Sequence, residues 1–285
     1  MATAQAVSSS RSWFKSLELV LGFIFAGGIA LVVLLSPILF PDGGEGMDLM
    51  ARLIPPFQSW QHFLGTDPLG RDVLARVAVG GKISLMVGFL SVLGAVIIGT
   101  LVGLVAGYYR GIAEMLLMRF VDIQLALPFI LVAIMFLAIL GAGIDKVILI
   151  MIATQWVQYA RLVRGSVLAL REREFILSAR AIGVGNGRII FTHVLPNVLG
   201  PIVILMTLQV ANNILLESSL TFLGLGVDPL IPSWGGMLAD GRTYLQTAWW
   251  VSVFPGLAIM FTVLGLNLLG DWLRDYLDPT GQTSK

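Results

Sequence analysis

Four sets of residues have types and spacings that could do chemistry. Gly183, Gly185 and Gly187 lie among arginines, a composition able to cradle phosphate. They lack a preceding strand and the G-x-G-x-x-G spacing of a dinucleotide site, so they read as a break in a helix. Gly81-Lys82 resembles the end of a phosphate loop, but Arg76 stands where the first glycine belongs and Ile83 where Ser or Thr would meet magnesium. Neither set equips the chain to hydrolyse ATP. Asp67, Arg71 and Asp72 bring two carboxylates and a guanidinium close together. They either pair in a solvated turn or, with Trp234 of a later loop, form a gate or docking surface. The fourth set is Gln209, Asn212 and Asn213, amides inside an apolar run, with Gln155 and Gln158 in an earlier one. Amides that lipid cannot satisfy face a bundle interior or a watery cavity. Interhelical hydrogen bonding and the lining of a translocation path both fit them.

Composition removes other chemistry. The 285 residues include no cysteine, which excludes disulfides, thiolate metal sites and cysteine nucleophiles. Two histidines, His62 and His193, are too scattered for an imidazole metal cluster, and no metal site is expected. A net charge of +1, with no basic patch interleaved with aromatics, gives nucleic acid no footing. The chain is 57% hydrophobic and 12% charged, with mean hydropathy +0.89. Soluble domains carry about 25% charged residues, so this is a multi-pass membrane protein in contact with lipid.

The elements follow from the apolar runs. Residues 1–16 are small and polar, and 17–39 form a first transmembrane helix, longer than the apolar core of a signal peptide. Residues 40–82 hold four prolines and mixed charges and make an outer segment. Further spans are expected at 83–107, at 120–140 with a kink near Pro128, at 147–162, at 198–216 and at 247–269, within one domain of 83–270. Gly88, Gly94, Gly99, Gly103 and Gly107 permit close helix contacts. Glu217, Ser218 and Ser219 should close the fifth span and begin an outer loop of 217–245. No acid is expected mid-helix. Trp249, Trp250 and Trp272 fit interfacial belts better than a substrate box. A tail of 271–285 follows. The fold class is thus an all-α membrane protein of six transmembrane helices.

One segment organises the rest. Between Arg161 and Pro201 lie Arg161, Arg164, Arg171, Arg173, Arg180 and Arg188. Each would cost about 2.5–3.5 kcal/mol at a bilayer centre, against a gain of about 0.3–0.6 for a leucine, so the segment stays in water. Within it Arg171 to Ile182 is helix-compatible, with Phe175, Ala179 and Ile182 on one face. Ser178, Ala179 and Ala181 are small enough for close approach by another surface. The glycines then break the helix, and Leu195-Pro196 interrupts a second short piece before re-entry. With the amino terminus inside, 12 of the 18 Lys and Arg fall on inner segments and 6 on outer ones. The positive-inside bias therefore puts both termini and this loop in the cytoplasm.

The loop, about 163–197, resembles the cytoplasmic coupling loop of bacterial ABC importer permeases. The family's Glu-Ala-Ala, Gly and Ile-x-Leu-Pro pattern falls on Leu177-Ser178-Ala179, Gly183 and His193-Val194-Leu195-Pro196. Leu177 replaces the usual Glu, and Glu174, one turn earlier, could take over its ionic contact. The stretch 62–74, then Lys82-Ile83-Ser84-Leu85, and the runs 217–226 and 232–235, are similar to the second (C-type) permease subunit of the dipeptide/oligopeptide/nickel subfamily. The resemblance implies a type I ABC importer transmembrane fold in a bacterial inner membrane, with no catalysis in this chain. It implies coupling through Glu174, Leu177, Ser178, Ala179, Arg180, Ala181, Gly183, Leu195 and Pro196. It implies a homologous second permease, two cytoplasmic ATPases carrying ATP and magnesium, and a periplasmic or lipoprotein solute-binding protein. Peptides are the expected cargo, with glutathione, nickel complexes or another small solute as alternatives. A self-sufficient secondary transporter would show intramembrane acids or repeats, and a membrane enzyme a reactive constellation.

Overall fold

The computed structural model describes residues 17–277. Expectations for 1–16 and for the tail beyond 277 lie outside the described residues. Among the described residues nine helical stretches carry the architecture: α1 Leu17–Leu39, α2 Val73–Tyr109, α3 Gly111–Leu125, α4 Phe129–Leu140, α5 Ile144–Leu170, α6 Glu174–Ala181, α7 Asn186–Phe222, α8 Trp234–Gly241 and α9 Trp250–Leu277. Among the described residues the one β-bridge joins Thr66 and Asp72.

The centre is α2, at 37 residues about 55 Å long. Its start is fixed by Asp72, whose carboxylate accepts a hydrogen bond from the Ala75 amide, satisfying an N-terminal donor. It begins ten residues before the span expected from Ile83. The mixed charges of 40–82 argued against an earlier start, but Arg76 among them is neutralised by Asp67 at 2.6 Å. Along one face Gly94, Gly99, Gly103 and Gly107 let α5 lie against bare backbone. A Cβ on Gly103 would stand 2.7 Å from the Ala160 carbonyl oxygen, and one on Gly107 would stand 2.8 Å from Val167 Cβ. Around this seam Val92, Ala95, Tyr159, Ala160, Ile214 and Trp234 are buried in one core.

Four helices among the described residues are long and apolar enough to cross a membrane: α1, α2, α7 and α9. A fifth arises if α3 and α4 are one span, but they meet at 85°. The expected kink is a break: Pro128 holds φ −61° and ψ 124°, an extended conformation that stops α3 and caps α4. Helix α5 extends eight residues past the expected end at Leu162. Its Arg161 and Arg164 are paired with Asp122 at 2.9 Å and with Glu114, so they are helical residues rather than loop residues.

Helix α7 departs from expectation at both ends. Leu195-Pro196 does not interrupt it. A π turn over Ile190–Val194 takes up the proline's missing N–H and ring bulk, and the helix continues. At the far end it runs to Phe222, so Glu217 lies inside it.

Candidate functional site

The elbow at 171–190 is built around a glycine cap. After α6, the Gly183 amide donates to the Arg180 carbonyl and the Val184 amide to the Ala179 carbonyl, both at 3.0 Å. This is the paired closure of a Schellman motif, with Gly183 at φ +81°. Gly185 caps the next short helical piece at ordinary φ, and Gly187 lies within that piece.

The inward side of the elbow is Ile176, Ala179 and Ile189, packed with Val163 and Val167 of α5. Arg171 donates to the Tyr108 carbonyl at 3.0 Å. Arg180 stacks over the Tyr108 ring at 4.8 Å, and the Tyr108 hydroxyl donates to Asn186 at 3.0 Å. Thus the end of α2 clamps both limbs. The expected common face of Phe175, Ala179 and Ile182 is split: Ala179 is buried, while Phe175 and Ile182 are 46% and 81% exposed. Glu174, Leu177, Ser178, Ala181 and Gly183 are exposed as well. Leu195 packs against the inward cluster and Pro196 is exposed. Beside the helix a hollow of about 630 Å³ is lined by Leu170, Glu172, Arg173, Glu174, Phe175 and Asn197. The elbow presents apolar and small side chains to the outside on a base held by cation and aromatic contacts.

The charged cluster at 67–76 is closed on itself. Asp67 is 2% exposed. It accepts from the amides of Leu69 and Arg71, from Arg71 Nε at 2.6 Å and from Arg76 Nη1 at 2.6 Å. Burial alone would raise its carboxyl; the hydrogen bonds and charges of Arg71 and Arg76 outweigh that and bring it below 3.8. Asp240 of α8 lies 3.8 Å from Arg76, and burial pushes its carboxyl up against the pull of both arginines. His62 meets Asp72 at 3.0 Å. Trp234 is fully buried and donates from Nε1 to the Val77 carbonyl. Trp250, read as an interfacial residue, is instead buried and donates to the Thr66 carbonyl at 3.0 Å. The cluster anchors 40–72 onto α2, α8 and α9.

The amides divide. Asn213 is fully buried against α2 and donates to Ser91 Oγ at 2.8 Å. Asn212 lines a cavity of about 650 Å³ at the bend between α3 and α4, together with Gln124, Gln155 and Gln158. Gln209 bridges the two positions, donating to Gln158 Oε1 at 2.6 Å and accepting from Asn212 at 3.5 Å. Sequence reasoning missed Glu217, expecting no acid inside a span. It is fully buried and accepts from Thr221 Oγ1 at 2.9 Å and from Ser218 Oγ at 3.3 Å. The signal available was Gly224, the first left-handed glycine after it. No group of three or more His, Asp or Glu is gathered for a metal among the described residues.

Comparison with known proteins adds identity to this geometry. Residues 99–280 match the family described as binding-protein-dependent transport system inner membrane component. The dipeptide transport system permease protein DppC of Alkalihalophilus pseudofirmus is 44% identical over 96% of this chain and 91% of its own. The oligopeptide transport system permease protein OppC of Haemophilus influenzae is 37% identical over 95% and 87%. The glutathione transport system permease protein GsiD of Pectobacterium atrosepticum is 45% identical over 76% and 72%. A chain of the MetNI methionine ABC transporter in an inward-facing state shares the fold, with TM-score 0.57 and 19% identity over 71% of this chain and 96% of that one. The chain belongs to the family of inner membrane components of binding-protein-dependent transport systems, a multi-pass membrane protein of the ABC importer permease kind.

Proposed function

We propose that the chain is the C-type permease subunit of an ATP-driven peptide importer in a bacterial inner membrane. The observation that carries the substrate class is the likeness to dipeptide and oligopeptide permeases over nearly the whole chain. A permease named for glutathione transport stands at similar identity over less of the chain, and glutathione is the alternative cargo. In this reading α1, α2, the bent pair α3–α4, α5, α7 and α9 are six spans with both termini in the cytoplasm. The positive-inside bias supports that orientation.

The exposed side of α6, from Glu174 to Gly183, docks on a cytoplasmic ATPase. Closure of two ATPases on ATP moves the elbow, and α2, α5 and α7 follow as one body because the elbow's inward side is packed into them. A homologous permease completes the path, and a binding protein delivers cargo at the outer face, where the anchored 40–72 segment and α8 lie. ATP and magnesium belong to the ATPases. The test is reconstitution in proteoliposomes with these partners. Labelled dipeptide accumulates only with ATP and with every partner present. Accumulation by this chain alone, driven by an ion gradient, contradicts the reading.

A further inference from the structure

The segment between α1 and α2 carries an aromatic tip. Residues 53–64 hold no Lys, Arg, Asp or Glu, although Arg52 and Asp67 flank them. Phe63 meets Phe57 edge-on at 5.0 Å and stacks with Trp60 at 6.3 Å. All three rings are exposed, Trp60 at 93%. Phe57 holds φ +66°, a region that bulky side chains resist, and its amide donates to the Phe63 carbonyl at 3.0 Å. The tip is a closed turn with a set shape.

Where it stands follows from the helix ends. Val33 of α1 packs on Gly81 of α2. From that contact α1 runs on to Leu39 and α2 runs back to Ala75, each over about 9 Å. Gly44, just past α1, touches Ala75 and Arg76, so the two ends are level. Helix α1 is long and apolar enough to cross a membrane, and Leu34, Ile38 and Leu39 near its end are exposed. Hydrocarbon therefore reaches this level. The stem of the tip is fastened at the same height. The Val73 amide donates to the Gly65 carbonyl at 3.1 Å, and His62 meets Asp72 at 3.0 Å. Trp250, the first residue of α9, donates to the Thr66 carbonyl at 3.0 Å. The aromatics stand where three spans leave the membrane.

We propose that residues 53–64 are an interfacial loop seated in the headgroup layer of the outer leaflet, with Trp60 entering it and phospholipid as the partner. A tryptophan has a large apolar ring and one N–H donor, which suits a boundary with one apolar side and one wet side. Gln58, Ser59 and Gln61 beside it can donate to phosphate and ester oxygens, and no carboxylate is there to be repelled by them. Trp249, exposed beside Trp250, adds a second ring from a different part of the chain. Seating the loop braces the start of α2 against the leaflet through Asp72, while the far end of α2 holds the elbow. The choice of leaflet rests on the orientation proposed above; the contact with lipid does not.

The test uses the assembled complex in phospholipid vesicles, with partner chains freed of reactive cysteines. This chain has no cysteine, so Trp60→Cys carries a single nitroxide. The reference label is at Glu45→Cys, an exposed charged position of the same segment. Power saturation reads collisions with oxygen, which concentrates in lipid, and with a water-soluble nickel chelate. The label at 60 shows a severalfold higher ratio of oxygen to nickel collisions than the label at 45. Equal ratios place the tip in water and overturn the inference. Suppression of both collisions at 60 places it against protein, either a binding protein or the second permease, and overturns it too. The native ring gives a second reading where the cysteine variant does not assemble. Phospholipid brominated near the headgroup end of its chains quenches a larger fraction of tryptophan fluorescence in wild type than in Trp60→Tyr. Equal fractions overturn the inference. Neither reading depends on cargo or on which face is outer, so the importer reading stands or falls separately.

Discussion

At the scale of single residues, the elbow depends on backbone rather than on space. Nothing lies within 4 Å of a Cβ built on Gly183, but its φ of +81° is a region that side chains resist. Gly183→Val should therefore uncouple ATP hydrolysis from uptake while the protein still inserts, whereas Gly183→Asn, which tolerates left-handed geometry, should stay coupled. Paired uptake and ATPase assays check this; equal behaviour of the two variants contradicts it. Ala179 differs, because it is packed inside its own chain. A tryptophan there would disrupt the elbow before any ATPase met it. Asp67 is the second residue with a clear consequence. Asp67→Asn removes a carboxylate shared by the buried Arg76 and the part-buried Arg71, a loss of about 3–5 kcal/mol for breaking such a pair. The melting temperature of the solubilised protein should drop. The folded carboxyl titrates below its ordinary 3.8, so its contribution is fully present above that value and is lost as pH falls through the folded one. The gap between wild type and variant should hold from neutral to mildly acidic pH and shrink only below 3.8. A gap that closes near neutrality contradicts the pairing. That Asp67 and Trp234 are buried anchors was not legible from types and spacing, since burial here depends on partners at Arg76 and Val77.

At the scale of elements, the apolar runs and Gly183 of the elbow located helices, whereas Leu195-Pro196, read as an interruption, lies within one. The ends were hidden for a physical reason. Arg161 and Arg164 looked like loop residues because their partners, Asp122 and Glu114, lie 39 and 50 positions away. The mixed charges of 40–82 hid the start of α2, where Arg76 is paired with Asp67. The break at Pro128 was visible as a proline, but its 85° angle depends on how α3 and α4 pack. The seam between α2 and α5 was written in the glycines and gives a direct check. Gly103→Val forces the helices apart, at a cost of about 1–3 kcal/mol or more for overpacking. Gly165→Ala on α5, with nothing within 4 Å of the added Cβ, should be close to neutral. Thermal melts of the two variants should differ in that order, and the reverse order contradicts the seam.

At the scale of the whole molecule, the chain is built on a long central helix whose start is tied down by an ion cluster and whose far end clamps an exposed elbow. That arrangement suits a part that receives motion rather than one that generates it. Everything turns on the elbow lying in the cytoplasm and meeting an ATPase there. Because the chain has no cysteine, a single Ser178→Cys substitution gives a clean reporter on the exposed side of α6. The account predicts labelling by a membrane-impermeant maleimide in inverted vesicles, none in intact cells, and protection once the ATPases are bound. Labelling of Ser178→Cys from outside intact cells, or labelling that the ATPases leave unchanged, would contradict it.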